Sequence, residues 1–518
     1  MIAQMYQLAL QHHQAGRLRE AEPLYRQILA RQPDHADALH QLGFLSHQMG
    51  LNSAALPLLN RAIAINAQSA DYQVHLAMVL SALGQSDEAI AALERAATIE
   101  PNDPEPYFHL GNGLLSRGRI DDAIGAYQHS AALGPGVVVV YNNLAAALKL
   151  AGRLEESIAT YREALKIRPD FAEAHNNLGG VLQELGRFEP AMVEFKRALA
   201  LRPNFPEARM SVALALLVQG DFKRGWQEYE ARRELRKKPG EMRFSEPYWN
   251  GSDPAGRRIL LRAEQGFGDT IQFIRYAPLI AAKGAHVIVH APPELRRLLA
   301  TVRGVSRVVC AGDAIEPVDA QCLLMSLPRI LGTTLETIPA SVPYVAPDPA
   351  LAEHWRGRMS GRPPGLKVGL VWAGGAHNKS DRTRSLSLAA LAPLTRVPGV
   401  QFYSLQKGAA ARQARTPPAG FDICDWTDDL GNFADTAALA ANLDLVISVD
   451  TAVAHLAGAM GLSVWLALPF VPDFRWLLNR NDSPWYPTMR LFRQARSGDW
   501  DGVIAGMAEA LGEIKRKT

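Results

Sequence analysis

The 518-residue sequence predicts an all-α solenoid of paired helices followed by an α/β part built from two parallel-sheet lobes. Three observations carry that expectation. Gly16, Gly50, Gly84, Gly118, Gly152, Gly186 and Gly220 recur at intervals of 34 residues. All nine tryptophans lie at or beyond Trp226, a composition step that marks a boundary. From Arg258 onward, short apolar runs alternate with helical patterns, which is how βαβ units read.

Composition narrows the function classes. With 48% hydrophobic and 21% charged residues the chain is neither largely disordered, nor a collagen, nor a small disulfide scaffold. A net charge of +3 gives no global pull toward nucleic acid or an anionic membrane. Three cysteines, Cys310, Cys322 and Cys424, have neither disulfide-framework nor zinc spacing, which favours a reducing compartment. The N-terminus lacks a basic stretch followed by an apolar core. Residues 452–470 are apolar but broken by Gly458 and Gly461 and ended by Pro469, so they read as helix, turn and strand rather than a span. The expectation is a cytoplasmic protein with no membrane span.

In each repeat the Gly ends the first helix in a left-handed turn. Five positions later stands a small residue, Ala21, Ala55, Ala89, Ala123, Ser157, Ala191 or Gly225, which lets the second helix pack close. Pro33, Pro101, Pro135, Pro169 and Pro203 stop the second helix, with Ala67 in the missing place. Seven registers fill residues 1–238, and residues 239–257 read as a linker. The pattern resembles the tetratricopeptide repeat. That resemblance implies a superhelix whose concave wall, lined by the first helices, holds extended peptides.

Asn143 and Asn177 occupy the sixth place of their repeats, in VYNNLAAAL and AHNNLGGVL. They resemble the asparagine ladder of O-GlcNAc transferase, and an amide offers donor and acceptor together to any peptide bond. They are equally explained as common repeat residues facing water. The corresponding places elsewhere are Gln41, His75, His109 and Ser211. Arg232, Arg233, Arg236, Lys237 and Lys238 make a basic end to the array; with Glu230 and Glu234 interleaved they read as a solvated capping helix.

The second part predicts strands at RILLR, HVIVH, SRVVC and AQCLL in a first lobe, residues 258–350. A second lobe, 365–495, starts at LKVGLVWAGG and continues through VQFYSL, FDIC, DLVISV and SVWLALP; a helix over 496–518 closes the chain. Ligands in such sheets bind at the carboxyl ends of strands. Three clusters fall there. Residues 264–270, EQGFGDT, form a glycine turn in which Asp269 opens a helix, as cap or as site residue. Residues 372–375, WAGG, run into Asn378, Lys379, Asp381, Arg382 and Arg384, which is an anion cradle or a charged loop. In SVDTAVAH a buried strand ends at Asp450, a helix begins at Thr451, and His455 lies one turn on.

DTAVAHLAGAMG with the upstream GD turn resembles the heptosyltransferase-type glycosyltransferases of the GT-B fold, glycosyltransferase family 9. The layout as a whole resembles bacterial flagellin glycosyltransferases. The resemblance implies that Asp269 is the base and that Asp450, Thr451 and His455 hold donor phosphate. Ala452 stands where the family has glycine, so only its backbone contact carries over. Arg384 stands for the family's lysine, and Gln406 with Lys407 for the residues beside the nucleotide. It further implies no cofactor, a nucleotide-sugar as co-substrate, and a protein acceptor, flagellin, seated on Asn143 and Asn177.

The resulting expectation is an inverting protein glycosyltransferase. Positive charge from Arg384, Lys379, Lys407, His455 and the helix start at Thr451 would meet the leaving phosphate. Asp269 would take the hydroxyl proton, and Glu264, the other carboxylate of that turn, is second choice. Asp428 and Asp429 read as solvated surface, with no Asp-x-Asp metal cradle and no essential metal. Two alternatives stay open: a saccharide or lipid acceptor, or a non-catalytic repeat scaffold with a relic transferase domain. The segment DFRWLLNRNDSPWYPTMRLFRQ is assigned only a packing role.

Overall fold

The computed structural model describes residues 1–235, 246–375 and 381–517. Seven helical hairpins come first: α1 (Ile2–Gln14) with α2 (Leu18–Arg31), α3 (Ala36–Gln48) with α4 (Asn52–Ile65), and α5 (Ala70–Ala82) with α6 (Ser86–Ile99). Next come α7 (Pro104–Ser116) with α8 (Ile120–Leu133), α9 (Val138–Leu150) with α10 (Leu154–Ile167), and α11 (Ala172–Glu184) with α12 (Phe188–Leu201). The seventh is α13 (Pro206–Val218) with α14 (Phe222–Glu228), ended by a single turn, α15 (Arg232–Leu235).

The period does what its chemistry requires. All seven glycines have φ between +72° and +87°. A residue with a Cβ would be strained there. The small residues Ala21, Ala55, Ala89, Ala123 and Ala191 are buried. Ser157 keeps the place by donating its hydroxyl to Ala145 O at 2.7 Å. At Gly225 a Cβ would lie 2.7 Å from the Leu217 side chain, so that crossing needs glycine.

The chain forms two compact units, Met1–Leu182 with Glu189–Pro203, and Gln183–Phe188 with Asn204–Thr518. The seventh hairpin therefore belongs to the second unit. Trp226, 1% exposed, meets Tyr229, Phe273 and Phe474 edge-on at ring distances of 5.5–5.8 Å.

That unit holds two parallel sheets. The first has the order β3-β2-β1-β4, from β1 (Arg258–Arg262), β2 (His286–His290), β3 (Val305–Val309) and β4 (Ala320–Leu323). The second has the order β10-β9-β8-β5-β6-β7, from β5 (Leu366–Val371), β6 (Val400–Ser404), β7 (Ile423–Cys424), β8 (Leu445–Val449), β9 (Val464–Leu468) and β10 (Met489–Arg493). All pairings are parallel. The strand order reverses between β1 and β4 and between β5 and β8, and such reversals open a crevice at the strand ends.

Helices at these ends place the site: α16 (Phe267–Phe273), α17 (Ala277–Ala281), α18 (Arg296–Leu299), α19 (Leu327–Ile330) and α20 (Pro349–Met359) in the first half. In the second they are α21 (Asp381–Arg384), α22 (Arg412–Arg415), α23 (Phe433–Ala440), α24 (Ala452–Ala459) and α25 (Trp500–Lys517). The expected long helix after residue 270 is broken into α16, a 3₁₀ turn and α17, because Pro278 lacks the N–H a continuous helix needs. β10 falls in the segment assigned only to packing. Residues 247–249 are not a free linker: Gln321 N–H donates to Pro247 O at 3.0 Å and Trp249 N–H to Gln321 O at 2.7 Å, which covers the open edge of β4.

Candidate functional site

The turn after β1 and the turn after β8 face each other. A Cβ on Gly268 would lie 2.8 Å from His455 Cδ2 and 3.4 Å from Ala452 Cα, so glycine allows the starts of α16 and α24 to touch. Asp269 does not cap its helix from outside. Gly266 is the N-cap, and Asp269, third in the helix, accepts the Gly266 N–H on Oδ2 at 2.8 Å. Its Oδ1 pairs with Arg475. Burial pushes the Asp269 carboxyl above its ordinary range, while the Arg475 guanidinium pulls it back. The side chain keeps 20% exposure.

Arg475 is the residue the sequence reading missed. It is 6% exposed and donates to Gln272 Oε1 and to Asp473 Oδ1 (2.7 Å) as well as to Asp269. It lies in the segment assigned only to packing; a lone arginine amid the aromatics of DFRW was the available signal. That segment also receives Arg275, whose guanidinium donates to Trp485 O at 2.6 Å and to the Tyr344 hydroxyl at 2.9 Å. The two lobes are thus joined through buried arginines.

On the other side Asp450, 9% exposed, has its carboxyl pushed up to about 6 by burial and by Asp473; Trp476, Arg475 and Arg384 oppose the shift. Thr451 is the N-cap of α24, and its hydroxyl lies 3.0 Å from Ser448 Oγ. Ala452 is the first residue of that helix and offers only its backbone. His455 is buried, stacked on Trp476 at 5.3 Å, with Nδ1 2.9 Å from the Tyr486 hydroxyl and Nε2 3.7 Å from Asp450 Oδ1.

Burial first, then Arg475, Arg275 and Arg384, hold the His455 pKa well below its ordinary value. Burial likewise keeps Tyr486 protonated. The tautomer that suits both has Tyr486 O–H donating to Nδ1 and Nε2–H facing Asp450. Burial and the neighbouring arginines thus favour the neutral imidazole at His455, against the positive charge the sequence suggests.

The expectation for Gln406 changes as well. Gln406 is 2% exposed, and its amide is engaged on every side. It accepts from Trp372 N (3.0 Å) and Ala373 N (2.8 Å) and donates to Ala373 O (2.9 Å) and Lys407 O (2.8 Å). Lys407 Nζ donates to Thr427 O (2.6 Å) and Leu430 O (2.9 Å). Gln406 thus braces its loop instead of standing open to a nucleotide, whereas Lys407 holds the 427–430 turn and stays exposed. Arg384 remains close to the site: its Nε is buried with no hydrogen-bond acceptor, 3.5 Å from Asp381 Oδ1. A Cβ on Gly374 would lie 2.7 Å from the Arg384 Nη2, so that glycine makes room for the guanidinium. Lys379, with Asn378, lies outside the described residues, as do Arg236, Lys237 and Lys238.

Arg233 and Glu234 are exposed, as a solvated capping helix requires, but Arg232 departs from that reading. The Arg232 and Glu264 side chains are each 3% exposed and paired at 2.8 Å. Glu264 also accepts Met325 N–H at 3.2 Å, which removes it as an alternative base.

In the first unit the asparagines join one network. Asn143 Nδ2 donates to Asn112 Oδ1 (3.0 Å), Asn142 Nδ2 to Asn143 Oδ1 (3.1 Å), and Asn177 Nδ2 to Asn142 Oδ1 (3.2 Å). Tyr127 anchors its end through Asn112 at 2.7 Å. Asn142 stands one place before, and Asn112 three places after, the repeat position shared by Asn143 and Asn177, so the period does not single them out. The network is half-buried.

Among the described residues no three His, Cys, Asp or Glu side chains group closely enough to hold a metal ion, and no helix is long and apolar enough to cross a membrane.

Comparison with known proteins agrees on the first unit. The tetratricopeptide repeat pattern matches residues 12–78, 48–110 and 172–205, and the TPR repeat pattern matches 147–186. The chain is thus a tetratricopeptide-repeat solenoid followed by a parallel-sheet domain. Protein FlbA of Caulobacter vibrioides is 30% identical over 287 residues, 51% of this chain and 48% of that protein. The chain spans about half the length of the curated relative it matches. Among solved structures, MamA is 23% identical with a TM-score of 0.30, covering 33% of this chain and 94% of its own. YrrB, a TPR protein with an unusual peptide-binding site, is 17% identical with a TM-score of 0.32, covering 36% and 95%.

Proposed function

We propose that the chain is a glycosyltransferase that moves a sugar from a nucleotide-sugar to a hydroxyl of a protein recruited by the repeats, with flagellin as the acceptor implied by the sequence resemblance. The observation that carries the reading is the meeting, at two strand-order reversals, of a half-open Asp269 with the start of α24. Asp269 accepts the proton as the acceptor oxygen attacks the anomeric carbon. The carbon–oxygen bond to phosphate breaks, and the nucleotide leaves with the electron pair. The first amides of α24, Thr451, His455 and the Arg384 guanidinium are the groups proposed to meet that developing charge.

The reading is tested by incubating the full chain and a flagellin with UDP-, GDP-, dTDP- and CMP-linked sugars and weighing the flagellin by mass spectrometry. A mass gain of one sugar from one donor is expected. Asp269→Asn should lower the rate by about 10²–10⁴-fold at similar donor affinity. No mass gain from any donor, or parental turnover by Asp269→Asn, refutes the reading.

A further inference from the structure

Arg232 closes the seventh hairpin, and its side chain is 3% exposed. A guanidinium carries five N–H donors in a fixed plane. Here each has an acceptor. Nε donates to Glu264 Oε2 (3.0 Å) and Nη2 to Glu264 Oε1 (2.8 Å), forming a fork. Nη2 also donates to Ser326 Oγ (2.8 Å), and Nη1 to Tyr229 O (3.1 Å) and Glu230 Oε1 (2.8 Å). Ser326 in turn donates to Glu230 Oε1 at 2.8 Å, and Met325 N–H to Glu264 Oε1 at 3.2 Å.

Three stretches distant in sequence therefore end on one cation: the hairpin at 229–232, the turn after β1 at 264, and the end of β4 at 325–326. β1 and β4 are hydrogen-bonded neighbours where the first sheet reverses, so the knot lies at the base of the turn that carries Asp269. A buried ion pair is seldom more stabilising than an apolar pair of similar volume. Its fixed fork, however, sets the direction of the chain it holds, which an apolar contact does not.

We propose that Arg232 is a positioning residue for the transfer site: its fork on Glu264, anchored by the hairpin and by the end of β4, fixes residues 264–269 and with them Asp269. The proposal rests on the reading of Asp269 as the base. Asp269 is surrounded by Arg475, Asp473 and Glu264, with Tyr229 from the hairpin and Asp450 and His455 across the turn. The Glu264 charge raises the Asp269 pKa, and Arg232 offsets that charge.

Three variants of the full chain test this, assayed with flagellin and the donor found active among the UDP-, GDP-, dTDP- and CMP-linked sugars. Arg232→Lys keeps the charge and loses the fork. Its kcat should fall about 10–100-fold at unchanged donor KM, and amide exchange over 264–270 should quicken about 10-fold while strand 286–290 stays protected. Glu264→Gln should move the acid limb of kcat/KM to lower pH, because one negative charge beside the base is gone. The double variant Arg232→Met with Glu264→Met should melt near the parent yet stay slow. Parental kcat in the double variant overturns the proposal, because the pair would then be packing alone. If the parent transfers no sugar, or Asp269→Asn is fully active, the base reading has failed. Positioning is then decided by exchange alone, and parental protection of 264–270 in all three variants overturns it.

Discussion

The first six hairpins and the seventh share one register and end in different cores. Gly152 and Gly220 have the same left-handed turn, at φ +77° and +87°. Yet the sixth position after the glycine is Ile158 in one hairpin and Trp226 in the other. Ile158 is buried within the first unit and Trp226 among the aromatics of the α/β unit. The turn and the small residue specify a helix pair; the side chains on its outer face decide what that pair joins. A repeat period therefore locates hairpins and does not by itself locate a domain boundary.

Moving the boundary is the most severe test of that contrast. A chain beginning at residue 204 should fold with a cooperative transition, whereas one beginning at 258 should not. The shorter chain loses Trp226, a side chain whose removal costs about 3–5 kcal/mol. It also leaves Glu264 buried without Arg232, a broken pair worth about 3–5 kcal/mol. Together these approach the whole stability of a domain, about 5–15 kcal/mol. Tryptophan fluorescence during heating is the measurement, since every tryptophan lies in the second unit. A cooperative transition in the shorter chain would show that the hairpin is an ornament.

Acid separates the two regions more gently. In α3 and α5, His40 Nε2 lies 2.6 Å from His75 Nδ1, with Tyr72 stacked on His40 and Phe44 on His75. Burial, with His75 and His13 adding to it, lowers His40 to about 3; burial lowers His75 to about 4. Both are neutral when folded and take protons more readily when unfolded. Stability is thus full above about 6.5 and falls as pH drops toward 3 to 4. The seventh hairpin has no histidine. In its unit His455 acts in the same sense, but the raised carboxyls of Asp269 and Asp450 act in the opposite one. Between pH 7 and pH 4.5 the helical circular-dichroism transition should lose on the order of 3 kcal/mol while the tryptophan transition moves less. Parallel loss of both signals would place the acid-sensitive group elsewhere.

What the sequence disclosed follows the reach of its signals. Hairpins, β1, β2 and the strand-to-helix step at Asp450 were legible because apolar period, glycine and proline act within a few residues. β10 and Arg475 were not, since MRLFR alternates weakly and an arginine's partner 206 residues away leaves no local trace. The same limit hid the burial of Arg232 and the commitments of Gln406 and Lys407. A charged or amide side chain looks alike in sequence whether it faces a ligand or a carbonyl. His455 was placed correctly on its helix, while its charge depended on burial that no spacing reveals.

The smallest expected difference lies between two glycines of identical role. Gly152 has φ +77° and nothing within 4 Å of an added Cβ; Gly186 has φ +72° and a Cβ there would lie 3.2 Å from Phe470 Cε1. Alanine at either site meets the left-handed penalty of about 1–2 kcal/mol, partly offset by about 0.4–1 kcal/mol from the stiffer unfolded chain. Gly152→Ala should therefore cost about 1 kcal/mol and register in the helical transition. Gly186→Ala adds a contact that is too short, but Phe470 is 39% exposed and its ring can shift by the few tenths of an ångström required. The added cost should stay below about 1 kcal/mol, at the low end for overpacking. Because Gly186 belongs to the second unit, this variant should lower the tryptophan transition, which Gly152→Ala leaves in place. If Gly186→Ala shifts only the helical transition, the loop at 183–188 belongs with the regular repeats, and the change of core begins after it, at α13.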